Sequence, residues 1–149
     1  MTTRDAINPL ISLILPVYNE ALSLPGFFAA VEEKLVGLKL ELLFVDDGSS
    51  DDTVEYLRHM AVEDGRIRVI KFSRNFGKEA GLTAGLEHCR GDVGIPVDVD
   101  LQDPLEVVHD FIKKWREGYD VVHGVRSDRQ EDGFFKRMSA NHYYSLFNN

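Results

Sequence analysis

Asp98 and Asp100, with Gln102 two positions on, are the residues of this chain best suited to hold a cation. They close the apolar run 93–99, which reads as a strand. In an extended chain, residues two apart project to the same side, so both carboxylates lean one way where the strand stops. Carboxylate and amide oxygens are hard ligands suited to Mg²⁺ or Mn²⁺, and such an ion completes its shell with water and phosphate oxygens. Asp103 before Pro104 reads as the cap of a following helix rather than as a ligand.

Other polar clusters follow other apolar runs. Asp46 and Asp47 come directly after the run 41–45 and could accept hydrogen bonds from a ribose or a base; adjacent acids repel, so a turn role alone explains them poorly. Ser49, Ser50 or Asp51 would cap the helix that follows. Tyr18 and Glu20 offer an aromatic face and an acid suited to a nucleoside, or Glu20 simply sits well at a helix N-terminus. Arg126 and Arg129 could neutralise phosphates. Arg74 and Lys78 could do the same, or pair with local acids.

Several chemistries find no support. There is no GxGxxG after the first run and no GxxxxGK[ST] anywhere, which weakens dinucleotide and P-loop readings. The five histidines are scattered without ligand spacing, and no Ser/His/Asp or Cys/His arrangement is evident. Cys89 is the single cysteine, so no internal disulfide forms, and it reads as a small packed residue.

The elements that must position these residues alternate. Strands are expected at 10–16, 41–45, 67–72, 93–99 and 119–123. Helices are expected at 23–36, 52–63, 79–89 and 104–116, with a last one starting near 134. Strands and helices alternating at this spacing form βαβ units with a parallel sheet covered on both faces. Ligands of such sheets bind at the carboxyl ends of the strands, where every polar cluster above falls.

The chain has 149 residues, enough for one domain with a real core. A net charge of −8 argues against a nucleic-acid partner. The apolar runs are too short to span a bilayer, and the N-terminus lacks a signal-peptide core, so the chain reads as cytoplasmic. The aromatic stretch 143–149 has no helix terminator and reads as a truncated end.

As an ordered set, ILPVYNE (14–20), FVDDGSSDDT (44–53), FSRNFGKEAGLTAGL (72–86), VDVDLQDP (97–104) and GVRSDR (124–129) resemble the family 2 glycosyltransferases. The likeness is strongest to the polyprenyl-phosphate branch, which holds dolichyl-phosphate mannose synthases and bactoprenol glucosyltransferases. It implies a GT-A fold: an α/β, Rossmann-like, mostly parallel sheet with helices on both faces, spanning 1–149 as a catalytic domain. It also implies a nucleotide-sugar donor (UDP-glucose, with GDP-mannose as the alternative), a polyprenyl phosphate acceptor and a divalent cation.

Carried over by motif, Pro16, Tyr18, Asn19, Glu20, Val45 and Asp47 would line the nucleoside site, with Lys78 among the nucleotide contacts. Asp98, Val99 and Asp100 would reach the ribose and diphosphate, and Asp100 with Gln102 would hold Mg²⁺ or Mn²⁺. Arg126 and Arg129 would meet donor or acceptor phosphate, so Asp98, Asp100 and Arg126 are the expected catalytic set. The expected reaction inverts the anomeric carbon and needs no general base, because a phosphate monoester is already anionic near neutral pH. Relatives of this type continue beyond the present C-terminus, where membrane attachment at the cytoplasmic face would lie. The alternatives are a nucleotide-sugar-binding module without turnover and, more weakly, a nucleotidyltransferase.

Overall fold

The computed structural model describes residues 8–124. Four strands, β1 (Leu10–Val17), β2 (Lys39–Asp46), β3 (Ile67–Lys71) and β4 (Val93–Pro96), alternate with four helices. The helices are α1 (Leu24–Lys34), α2 (Thr53–Glu63), α3 (Lys78–His88) and α4 (Val107–Arg116). The strands form one parallel sheet in the order β3-β2-β1-β4. The α/β class and parallel sheet expected from the sequence are what is found.

The central strands are apolar almost throughout because both faces are covered. Ile11, Leu13, Leu15 and Val17 of β1 join Leu42 and Phe44 of β2 in one core with residues of α1, α2 and α4. Phe27 meets Phe44 edge-on at 6.1 Å, and Phe28 reaches Tyr56 at 6.2 Å. Phe27 and Phe44 are fully buried, and each such side chain contributes about 1.5–3 kcal/mol. The opposite face carries Ile14, Pro16 and Val45, and there α3 packs through its glycines. A Cβ at Gly81 would lie 3.3 Å from Pro16 Cβ. One at Gly85 would lie 2.2 Å from Ile14 Cγ2, so no larger residue fits without movement.

Near the strands' amino ends, that face holds a buried polar knot. Glu41, 5% exposed, accepts from the Ser12 hydroxyl, the Arg68 guanidinium and the Arg90 N–H. Ser12 Oγ in turn accepts the Gly91 N–H at 2.8 Å, and Arg68 also donates to the His88 carbonyl at 2.9 Å. The knot fastens the end of α3 to three strands. Burial alone would raise the Glu41 pKa, but the hydrogen bonds from Ser12, Arg90 and Arg68 outweigh it and hold the carboxyl below its ordinary value.

Three expectations are corrected. Residues 119–123 form no strand: no described strand pairs with them, and Tyr119 and Val121 stay 42% and 68% exposed, so little burial rewards an extended ladder. β4 stops at Pro96, not 99; proline lacks the N–H a ladder needs and sits at strand ends. Finally, α4 starts at Val107, with Glu106 at the N-cap position. Pro104 and Leu105 open it with tight turns, their carbonyls accepting the N–H groups of Val107 and Val108, so Asp103 lies three residues before the N-cap position rather than at it. Among the described residues no helix is long and apolar enough to cross a membrane.

Candidate functional site

Three loops at the carboxyl edge of the sheet are fastened to one another by their own polar residues. Asn19, in the left-handed region at φ 56°, donates its N–H to Ser49 Oγ at 2.9 Å. Its amide oxygen accepts the N–H groups of Ser50 (2.8 Å) and Asp51 (3.3 Å). Glu20 N–H donates to Thr53 Oγ1 at 2.8 Å. Asp51 Oδ1 accepts the Thr53 N–H at 3.0 Å, so of the three expected caps Asp51 tethers the start of α2.

The two adjacent acids are also explained by backbone donors. Asp46, fully buried, accepts the Ser49 N–H at 3.2 Å. Asp47, 5% exposed, accepts the Phe76 N–H at 2.6 Å through Oδ1 and the Gly77 N–H at 2.9 Å through Oδ2. Gly48 lets the turn and the third loop touch. Its φ is 75°, and a Cβ there would stand 2.6 Å from the Arg74 carbonyl carbon.

Against this rigid base lies a cleft of about 340 Å³. Pro16, Val17, Tyr18 and Glu20 come from the end of β1 and its loop, and Asp47 from the end of β2. Asn75, Gly77 and Lys78 come from the start of α3, and Asp98, Val99 and Asp100 from the loop after β4. Lys78 Nζ contacts both oxygens of Asp98, at 2.7 and 2.9 Å. Val99 is buried while both flanking aspartates are exposed, so both reach the cleft, although from a turn rather than from the extended strand the sequence suggests. Asp100 Oδ1 accepts the Gln102 N–H at 3.1 Å, across Leu101 at φ 58°. A second cleft of about 730 Å³ shares Pro16, Lys78 and Asp98 with the first; Gln102, Leu82, Leu105 and Phe111 line it.

The structure therefore brings Pro16, Tyr18, Glu20, Asp47, Lys78, Asp98, Val99 and Asp100 together. Three expected residues among those described do not line the cleft. Asn19 is used as a staple between loops, and Val45 is fully buried beneath α3. Gln102 faces the neighbouring cleft. Arg126 and Arg129 lie outside the described residues. Asn75, from the Arg74-Asn75 cluster expected after the third strand, lines the cleft, and Val17 and Gly77 line it without having been singled out. The signal for Gly77 was the polar loop 73–78 entering a helix, where this glycine supplies φ 95°.

Among the described lining residues, four carboxylates face one ammonium. An anionic ligand gains little there without further positive charge. Asp100 and Gln102 carry hard oxygen donors that suit Mg²⁺ or Mn²⁺, but they line adjacent clefts, so a shared ion would need one side chain to turn toward the other. Among the described residues, no three or more His, Cys, Asp or Glu are grouped closely enough to hold a metal ion by themselves. An ion held by Asp100 and Gln102 must then draw much of its shell from water and a ligand's phosphates, which is how Mg²⁺ is commonly held.

The sequence matches the family described as glycosyl transferase family 2 over residues 12–149. It is 46% identical over 140 residues to a prophage bactoprenol glucosyl transferase homolog of Escherichia coli K12, covering 93% of this chain and 46% of that protein. The bactoprenol glucosyl transferase of Shigella phage SfV matches to the same extent. The chain thus spans about half the length of these relatives. Among solved structures, a Pyrobaculum calidifontis mannosyltransferase in complex with GDP-Man and Mn²⁺ superposes with a TM-score of 0.63. That likeness has 25% identity and covers 76% of this chain and 34% of the other.

Proposed function

From the premise that the chain belongs to glycosyl transferase family 2, we propose that its cleft binds a nucleotide-sugar for transfer of a hexose, glucose, to a polyprenyl phosphate. The observation that carries this is the convergence of Tyr18, Glu20, Asp47, Lys78, Asp98 and Asp100, from four separate chain segments, on one cleft at the carboxyl ends of a parallel sheet. The bactoprenol-specific names of the relatives support the acceptor class, and the GDP-Man and Mn²⁺ in the mannosyltransferase support a nucleotide-sugar and a divalent cation.

In this reading, Tyr18 and Glu20 meet the nucleoside, while Asp98 and Val99 border the ribose and diphosphate. Asp100 and Gln102 hold Mg²⁺ or Mn²⁺, which when bound offsets charge on the departing diphosphate. Arg126 and Arg129 meet the phosphates. An oxygen of the acceptor phosphate attacks the anomeric carbon from the face opposite the diphosphate. The bond to the diphosphate oxygen breaks, its electron pair leaves with the nucleotide, and the configuration inverts. The acceptor is already ionised, so no side chain must take a proton. A polyprenyl phosphate acceptor would put the reaction at a membrane surface, and a nucleotide-sugar donor would put it on the cytoplasmic side.

The narrower alternative is a nucleotide-sugar-binding module without turnover; the chain spans 46% of the relatives' length. Titration with UDP-glucose and GDP-mannose, with and without Mn²⁺, tests donor and cation. Adding undecaprenyl phosphate and extracting lipid-linked sugar tests transfer. No binding of either donor overturns the proposal, and binding without product leaves the narrower reading.

A further inference from the structure

The Lys78–Asp98 contact is unusual for its surroundings. Among the described residues, Lys78 is the single cationic side chain lining a cleft with four carboxylates, and its Nζ is spent on both oxygens of one of them, at 2.7 and 2.9 Å. The pair is not buried: its side chains are 59% and 44% exposed. Exposed pairs of this kind contribute little to stability, so giving one up costs little. It also stands where the two clefts meet, since Lys78 and Asp98 line both. Lys78 opens α3, whose glycines lock the helix against Pro16 and Ile14, so the root of the side chain is fixed while its ammonium sits at the end of an exposed, rotatable stem.

Two consequences follow from simple electrostatics. With Lys78 on Asp98, the cleft is one negative charge less attractive to a divalent cation. A diphosphate entering the cleft offers Nζ a stronger partner than an exposed carboxylate, because it carries more charge and more acceptor oxygens. When Nζ moves, Asp98 is released beside Asp100, and the field at the cation position becomes more negative. A linkage of this sort is reciprocal: whatever the nucleotide does for the cation, the cation does for the nucleotide.

We propose that Lys78 is an exchangeable counter-ion, held by Asp98 in the empty cleft and passed to the donor diphosphate on binding, so that nucleotide and divalent cation bind cooperatively. Lys78 is on this view a positioning residue that also suppresses cation binding when no nucleotide is present. The inference rests on the donor-site reading above.

The test is a set of calorimetric titrations on the wild type, Lys78→Gln, Lys78→Arg and Asp98→Asn, using Mn²⁺ alone, UDP alone, and each in the presence of the other. In Lys78→Gln, Mn²⁺ alone should bind about fivefold tighter than to the wild type, while UDP with Mn²⁺ binds about tenfold weaker, shrinking the coupling. Lys78→Arg should keep the wild-type pattern. Asp98→Asn should bind UDP alone more tightly than the wild type does, since Nζ no longer has to be drawn off a carboxylate. A merely structural Lys78 would leave Mn²⁺ affinity in the absence of nucleotide unmoved, and that result overturns the inference even if UDP binding falls. If the wild type binds neither UDP, GDP nor their sugars with Mn²⁺, the donor-site reading itself fails. If it binds them but nucleotide–cation coupling is the same in Lys78→Gln, only the counter-ion role fails.

Discussion

Gly85 of α3 lies against Ile14 of β1 so closely that a Cβ at position 85 would stand 2.2 Å from Ile14 Cγ2. This contact sets the height of α3 above the sheet, and hence where Gly77 and Lys78 at its other end enter the cleft. Gly85→Ala gains about 1 kcal/mol of helix propensity, yet overpacking costs about 1–3 kcal/mol. At 2.2 Å the clash wins. We expect a net loss of about 1–2 kcal/mol in urea unfolding and weaker donor binding. Gly81→Ala, whose nearest neighbour would be 3.3 Å away, should stay within about 1 kcal/mol of the wild type. Equal stability of the two variants would refute the ranking.

Asp47 holds the entrance of α3 through the Phe76 and Gly77 N–H groups. Asp47→Ala leaves both donors without this acceptor, at a cost of about 2–3 kcal/mol. Asp47→Asn retains one oxygen and should lose about half as much. If donor affinity drops in Asp47→Ala while the unfolding midpoint does not move, Asp47 contacts the ligand and the loop is held by something else.

Asp100→Asn should remove the Mn²⁺ dependence of donor binding and leave the fold intact, within about 0.5 kcal/mol, because the side chain is exposed. The asparagine oxygen can still accept the Gln102 N–H, so the turn survives. Unchanged Mn²⁺ dependence of UDP-glucose binding in this variant would show that the cation is held elsewhere.

Glu41 gives the fold an acid-sensitive knot. Its folded pKa lies below the ordinary value because the hydrogen bonds from Ser12, Arg90 and Arg68 outweigh burial. A group of this sign contributes its full stability above the unfolded pKa, about 4.3 for glutamate. That contribution is lost as pH falls through the folded pKa. The wild type should therefore lose stability below about pH 4.3 more steeply than Glu41→Gln, which has no proton to take up there. Asp51 and Asp64 carry pKa shifts of the same sign and remain in both proteins, so the difference between the two curves isolates Glu41. Parallel curves from pH 3 to pH 7 would rule out the linkage.

Much of the fold was legible because its signals are local. Unbroken apolar runs at β1 and β2 announced strands covered on both faces, and their alternation with helices announced a parallel sheet. The strand assigned to 119–123 failed for a non-local reason: YDVVH has strand-like composition, but a strand exists only where a partner offers its edge. The same holds for Asp98 and Asp100. Their spacing placed both carboxylates on one side, and they do share a cleft. Yet the backbone there is a turn with Leu101 at φ 58°, which no pattern of residue types announced.

The division is clearest among the polar residues. Sequence by itself determined which residues gather at the carboxyl edge of the sheet, because βαβ connectivity sends every strand's exit to the same side. Only tertiary structure decided what each of them does there. Asn19 and the buried Asp46 and Asp47 read as ligand contacts or turn formers, but their nearest donors are backbone N–H groups of loops up to 32 residues away along the chain. Lys78 and Asp98, 20 residues apart, became a pair because α3 is pressed onto β1 by glycines with no side chain to hold it off. A hydrogen bond or a clash is fixed by tenths of an ångström between distant segments, and that information is absent from the order of residues until the chain has folded.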